Sequence, residues 1–242
     1  MNVKTEGIVL HQFKYSDTQN IVHILTRELG KKSFAVRRSK NKRSSRKGSL
    51  TQAFYLVELE FFYNSKKDIQ NISEVRLSIP LQSVINSFVK RTVSLFLVEI
   101  LNKAIREEEK NYEMFDFIYN SIRLFDRVDK GVANFHILFL LKLSRFLGFA
   151  PNGVFDKDNP FFDMLNGSFV STEPLHAYTL KKNQANLLSS LLTTNYDGLE
   201  SIVLSGKERY EILNIIVQYY QLHIDSLGDI KSLDVLHDVF ND

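Results

Sequence analysis

Two periods of apolar spacing divide the chain. Within the run FYLVELEFFY, Tyr55, Val57, Leu59, Phe61 and Tyr63 fall on one face, and the other face places Glu58 and Glu60 between Phe54 and Phe62. One side of such a strand is buried and the other half wet. Shorter runs of the same kind lie at Thr5–Phe13, Asn20–Leu25, Ser33–Val36 and Ile69–Leu77, separated by the turn-like KYSD, RELGKK and YNSKKD. Five short strands with no helical period between them predict a small antiparallel barrel, because closing the sheet removes its edges.

After Pro80 the apolar spacing becomes helical. Ile85, Phe88, Phe96, Ile100 and Ala104, flanked by Val89, Val93, Leu97, Leu101 and Ile105, form a stripe on one long helix ending near REEEK. Further helices are predicted at about Tyr112–Asp126, Ala133–Gly148, Asn183–Thr193 and Lys207–Ser226. The helix over Ala133–Gly148 is apolar nearly all round, which places it at the centre of a bundle. The segment at about 150–180 is rich in turn formers and reads as an irregular insertion or a hairpin. The predicted fold class is therefore α+β and multidomain: a five-stranded barrel over residues 1–79, then an all-α domain over 80–242.

Charge changes this picture. The 242 residues carry 31 Lys and Arg against 28 Asp and Glu, a modest net +3. Nine of the bases, Lys31, Lys32, Arg37, Arg38, Lys40, Lys42, Arg43, Arg46 and Lys47, lie in KKSFAVRRSKNKRSSRKGS without one carboxylate among them. Set apart, they leave 22 bases against 28 acids, so one dense cationic segment sits on an acidic body. That is an address for a polyanion.

The chemistry that the chain lacks narrows the choice. There is no cysteine, hence no disulfide, thiolate metal site or thiol nucleophile, as suits a reducing compartment. The first residues mix charge into every turn, unlike a secretory or transit leader, so the cytoplasm is the expected location. FHILFLLKLSRFLGFA is short for a bilayer and is broken by Lys142 and Arg145. The six histidines do not show metal-ligand spacing, Gly148 and Gly153 are followed by Val154 and Phe155 rather than a phosphate-binding Lys, and no nucleophile elbow occurs. Binding without catalysis, cofactor or metal is the expectation. The nine bases, with Ser39, Asn41, Ser44, Ser45 and Ser49 as short donors to phosphate oxygens, would grip a nucleic-acid backbone, and Phe13, Tyr15, Phe34 and Tyr63 would be available to stack bases.

The residues also carry a resemblance. GIVL, a turn with YSD, IVHILTRELG, the basic RRSKNKRSSRKGSL and LVELEF resemble, in order and spacing, the amino-terminal domain of RecO, a bacterial DNA-repair and recombination mediator family. FLLKLSRFLGFAPN and YYQLHIDSLGDIKSLDVL resemble its carboxyl half, so the likeness covers nearly the whole chain. It implies an oligonucleotide/oligosaccharide-binding (OB) barrel followed by a helical domain. It also implies binding of single- and double-stranded DNA, annealing of complementary strands, and action with RecR to load RecA onto DNA covered by single-strand-binding protein, with no membrane involved. Many relatives have a four-cysteine zinc site after the Ala-Pro; this chain has no cysteine there, and packing by Phe155, Phe161, Phe162 and Phe169 is expected in its place. The acidic, apolar-ended tail of single-strand-binding protein is the partner implied for the helical domain, with Lys142 and Arg145 as candidate contacts. A scaffold whose barrel docks an acidic protein, and a nuclease or phosphatase with dispersed carboxylates, are the alternatives.

Overall fold

The computed structural model describes residues 1–37, 50–106 and 110–241. Strands β1 (Asn2–Lys14), β2 (Gln19–Thr26), β3 (Gly30–Arg37), β4 (Leu56–Phe62) and β5 (Ile69–Ile79) close into a barrel in the order β1-β2-β3-β5-β4. The pairings are antiparallel except that of β3 with β5, which is parallel from Ser33↔Ile69 to Ala35↔Asn71. The antiparallel barrel expected from the sequence is present, with β3 against β5 as the one parallel seam. An odd number of strands in a ring cannot alternate direction all the way round. The interior holds Val9, Val22, Ile24, Phe34, Val57, Leu59 and Phe61, with Tyr55 and Tyr63 partly buried against them, as the alternation in FYLVELEFFY requires. Gly7 faces this interior, where an added Cβ would lie 2.7 Å from Ile24 Cγ2 and 3.2 Å from Leu59 Cδ1.

Two helical elements, α1 (Gln82–Asn86) and α2 (Phe88–Ala104), replace the single long helix expected over this stretch. Ser87 interrupts it in an extended conformation (φ −98°, ψ 124°), and its hydroxyl accepts from the Lys90 amide at 3.3 Å. A serine satisfies an orphan amide better as a cap than as a helix interior residue. Of the predicted stripe, Val93, Phe96, Leu97, Ile100, Leu101 and Ala104 are buried, but Ile85 and Phe88 at its start are exposed. Next comes α3 (Tyr112–Arg127).

The helices are pinned to the barrel. The Arg27 guanidinium donates to both Asp116 oxygens at 2.9 and 3.1 Å, holding that carboxyl below the usual carboxylate range. Phe54 meets Phe125 edge-on at 6.3 Å, and Ser78 Oγ shares a hydrogen bond with Tyr119 Oη at 2.7 Å. Barrel and helices together form one compact unit, Met1–Arg127, and Val128–Asp242 forms a second.

The second unit is built around α4 (Val132–Phe146), buried continuously from Asn134 to Leu141 as its apolar circumference predicts. With it come α5 (Lys182–Thr193), a 3₁₀ turn (Tyr196–Ser201), α6 (Gly206–His223) and α7 (Ser232–Asn241). Ser205 and Glu208 form a reciprocal capping box that starts α6. The Tyr220 hydroxyl donates to the Leu140 carbonyl at 2.6 Å inside the bundle. The segment expected to be an irregular insertion or a hairpin does form an antiparallel hairpin of β6 (Phe161–Asp163) and β7 (Ser168–Val170), to which β8 (Thr179–Leu180) adds a third strand in the order β7-β6-β8.

In and around that sheet Phe162, Phe169 and Met164 are buried, and Phe155 and Phe161 are half-buried. The Phe162 ring lies 4.9 Å from Phe169 and 5.8 Å from Tyr219 of α6, whose hydroxyl donates to the Phe149 carbonyl at 2.6 Å. Asp163 already accepts from the Leu165 and Asn166 amides and from Asn166 Nδ2, and its Oδ1 lies 3.2 Å from His176 Nε2. The segment thus offers packed rings and a saturated carboxylate. Without a cysteine, these residues do not fit a four-thiolate zinc site.

His136, in the first half of α4, is wholly buried, its ring 5.8 Å from Phe240 and nearly parallel to it. Burial, with the Arg209 charge adding to it, lowers its pKa from 6.5 to about 3. The unfolded chain therefore takes up a proton near the ordinary histidine pKa that the folded one refuses until about pH 3. Stability should fall by about 1.4 kcal/mol per pH unit as pH drops below about 6.5. Urea unfolding at pH 7 and pH 5 is expected to show a loss about 2 kcal/mol larger for the wild type than for His136→Leu. Equal losses would contradict this reading.

Candidate nucleic-acid interface

The barrel register sorts charge onto two faces. On the outer face of β4 and its neighbours, Glu6 stands opposite Glu58, Lys4 opposite Glu60, Glu60 opposite Glu74 and Glu58 opposite Arg76. Lys4 pairs with Glu60 at 3.1 Å, Arg76 with Glu58 at 2.6 Å, and Arg27 lies near enough to attract Glu6, so three cations answer four carboxylates. That face repels a polyanion. The outer face of β2 and β3 carries no carboxylate: with Phe34 and Val36 turned inward, Lys31, Ser33, Ala35 and Arg37 alternate outward, opposite Leu25, His23, Ile21 and Gln19.

β1 joins this second face through a bulge. Pairing passes from Val9↔Ile24 to His11↔His23, leaving Leu10 as an extra residue. The bulge exchanges the two faces of the strand, so Val9 points into the barrel while His11 and Phe13 point out. His23 Nδ1 lies 3.1 Å from Asn102 Oδ1 of α2, and burial lowers the pKa of this imidazole.

The predicted DNA-binding residues are placed as follows. Arg37 is exposed at the end of β3, where the chain enters the basic segment. Lys31 shares the parity of Arg37, but its ammonium turns back and donates to the Asn102 and Ile105 carbonyls, the latter at 2.9 Å. It stabilises the C-terminal end of α2, where orphan carbonyls and the helix dipole favour a cation. Lys32 has the opposite parity, beside Ile24, and is half-buried. Arg38, Lys40, Lys42, Arg43, Arg46 and Lys47 lie outside the described residues. Of the predicted stacking residues, Phe13 and Tyr15 are exposed and Tyr63 packs on the barrel core. Phe34 is corrected to a core residue: it is fully buried, edge-on to Phe61 at 4.9 Å.

Lys31 and Arg37 should separate by experiment. Lys31→Ala is expected to lower the unfolding free energy by about 1–3 kcal/mol, because it strips charge-assisted bonds from a helix end. Arg37→Ala should leave stability within about 0.5 kcal/mol of wild type. Chemical denaturation measures both; equal stability of the two variants would contradict the capping role.

Comparison with known proteins settles the family. Residues 1–80 match the model "Recombination protein O N terminal", and residues 86–234 match "Recombination protein O C terminal". The chain belongs to the RecO family. The DNA repair protein RecO of Phocaeicola vulgatus is 39% identical over 238 residues, covering 98% of this chain and 99% of that one. The Bacteroides fragilis protein of the same name is 38% identical over 239 residues, 98% and 99% of the two chains, and that of Flavobacterium psychrophilum is 34% identical over 243 residues, the full length of both. The RecO amino-terminal domain is an OB fold, and the closed five-stranded barrel is its form here.

Elsewhere on this RecO chain, Lys142 Nζ donates to Asn195 Oδ1 at 3.1 Å and lies over the Tyr196 ring, and burial lowers its pKa; Arg145 is exposed. Sequence reasoning missed a groove of about 400 Å³ in the first unit, where Phe54, Tyr55, Leu81 and Val84 meet exposed Phe88 and Leu95, with Arg91 at its wall. The signal was present as an apolar stripe. Only the break at Ser87 reveals that its first part is not used for packing. Among the described residues no group of His, Asp or Glu is placed to hold a metal, and no helix is long and apolar enough to cross a membrane.

Proposed function

We propose that the chain is a DNA repair and recombination mediator that works by binding rather than catalysis in the cytoplasm. It binds single- and double-stranded DNA without reading sequence, anneals complementary strands, and helps RecR load RecA onto DNA covered by single-strand-binding protein. The observation that carries this reading is the sorting of charge on the barrel. Arg37 leads in sequence from a face without carboxylates into Arg38, Lys40, Lys42, Arg43, Arg46 and Lys47, while Glu6, Glu58, Glu60 and Glu74 occupy the outer surface that a polyanion would avoid. Annealing needs two like-charged backbones brought together with their base edges free. Cations that touch phosphate alone do that.

A fluorescence annealing assay with complementary oligonucleotides, no nucleotide and no divalent metal, tests the proposal. Faster annealing than in protein-free buffer is expected, and acceleration should persist on strands coated with single-strand-binding protein. No acceleration, with capture of an acidic protein instead, would favour the scaffold reading; strand cleavage on adding metal would favour an enzyme.

The tail of single-strand-binding protein, acidic and apolar-ended, needs an apolar recess edged by a cation. Lys142 and Arg145 are the contacts proposed from sequence, and the groove beside Arg91 has the same chemistry. A labelled tail peptide titrated against Arg145→Ala and Arg91→Ala assigns the site to whichever variant loses affinity. Retention by both removes both.

A further inference from the structure

His11, Phe13 and His23 form a ring cluster on the outer face of the barrel. The His11 ring lies 5.8 Å from Phe13 at 26°, roughly stacked, and His23 meets Phe13 edge-on at 5.6 Å and His11 at 6.0 Å. Phe13 is 39% exposed and Tyr15, two residues on, 65%. Without the bulge at Leu10, strand parity would turn Phe13 into the barrel and Gln12 out. The chain thus spends a register irregularity to put a phenyl ring in water, and the barrel core closes without it.

The surroundings say what such a ring would meet. Row by row, β1, β2 and β3 carry His11, His23 and Ser33, then Phe13, Ile21 and Ala35, then Gln19 and Arg37. The rings therefore share their face with Arg37, one row from the strand end where the basic segment begins. His23 is fixed from behind by Asn102. Imidazoles beside a phenyl ring give flat faces with hydratable edges, suited to standing empty in water and to stacking on a planar heterocycle when filled.

We propose that His11, Phe13 and His23 are a stacking platform for unpaired nucleobases, set on the same face as Arg37. This rests on the DNA-binding reading and deepens it. Charge alone holds any backbone, whereas the platform takes only bases that are out of a duplex, so it favours single strands and holds a strand by its bases while the cations hold its phosphates.

The test compares oligothymidylate with an abasic deoxyribose-phosphate strand of equal length and charge, by fluorescence anisotropy at fixed salt. Wild type is expected to bind oligothymidylate about tenfold more tightly than the abasic strand, within the range that stacking of one or two bases supplies. Phe13→Ala should bind both strands as wild type binds the abasic one, with an unchanged salt slope, and Phe13→Trp should restore the preference. If Phe13→Ala does not fold, as judged by its melting curve, His11→Ala, altered at an exposed position, should show the same loss. Equal binding of the two strands by wild type, or a preference that survives both alanine variants, would overturn the platform and leave backbone binding standing. Failure to bind either strand would overturn the DNA-binding reading and the platform with it.

Discussion

Phe162→Ala is expected to lower the unfolding free energy by about 3–5 kcal/mol, the range for removing a buried phenyl ring. Phe162 is 1% exposed and sits where the short β6 strand meets Phe169 and Tyr219, so its loss leaves a cavity between the small sheet and α6 with few neighbours able to collapse into it. A fold held there by rings rather than by a metal has a second signature. A chelator at millimolar concentration should leave the wild-type urea midpoint unchanged, since zinc-held folds unfold when the ion is removed. A small loss in Phe162→Ala, or a midpoint lowered by chelator, would contradict the packing account of this segment.

The second large effect concerns charge. Replacing Arg37, Arg38, Lys42 and Arg43 together by alanine is expected to weaken single-strand binding at low salt by about a hundredfold or more. It should also flatten the dependence of log K on log salt by about 3, at roughly 0.7 for each phosphate no longer neutralised. Stability should stay close to that of the wild type, because Arg37 is exposed at a strand end and makes no described ion pair. Binding at wild-type strength with a wild-type slope would remove this segment from the interface. Lys31→Ala provides the contrast, since its main expected effect is on α2 and on folding.

The barrel was legible because alternation is a strong signal: Tyr55, Val57, Leu59 and Phe61 do share its interior face. Parity also correctly put Glu58 and Glu60 outside. What the alternation could not convey was the bulge at Leu10, since a one-residue slip changes no composition and yet reverses which of Gln12 and Phe13 meets water. The role of Lys31 was hidden for a related reason. Its partners, the Asn102 and Ile105 carbonyls, are backbone atoms of a distant helix end, and sequence shows only a lysine in a basic run. Phe34 misled in the opposite direction, because an aromatic in a strand near basic residues reads alike whether it faces in or out.

In the helical half, periodicity located α3, α4, α5 and α6 within a few residues, but it ran α1 and α2 together because Ser87 disturbs backbone geometry without disturbing the apolar spacing. It also passed over α7, whose ten residues, broken by Asp234, His237 and Asp238, are too few for a helical period to stand out. Turn formers suggested a hairpin after Pro151, but strands of two and three residues are too short for any period to place them or to show the third.

The central claim is that the cationic segment grips sugar-phosphate chains through charge, from the face of the barrel free of the carboxylate rows. Titration of single-strand affinity against salt tests it most directly, with no nucleotide present. If about six of the nine cations meet phosphates, log K should fall by about 4 for each tenfold rise in salt, so that a fourfold rise weakens binding a few hundredfold. A slope near zero, or no binding in dilute buffer, would contradict it.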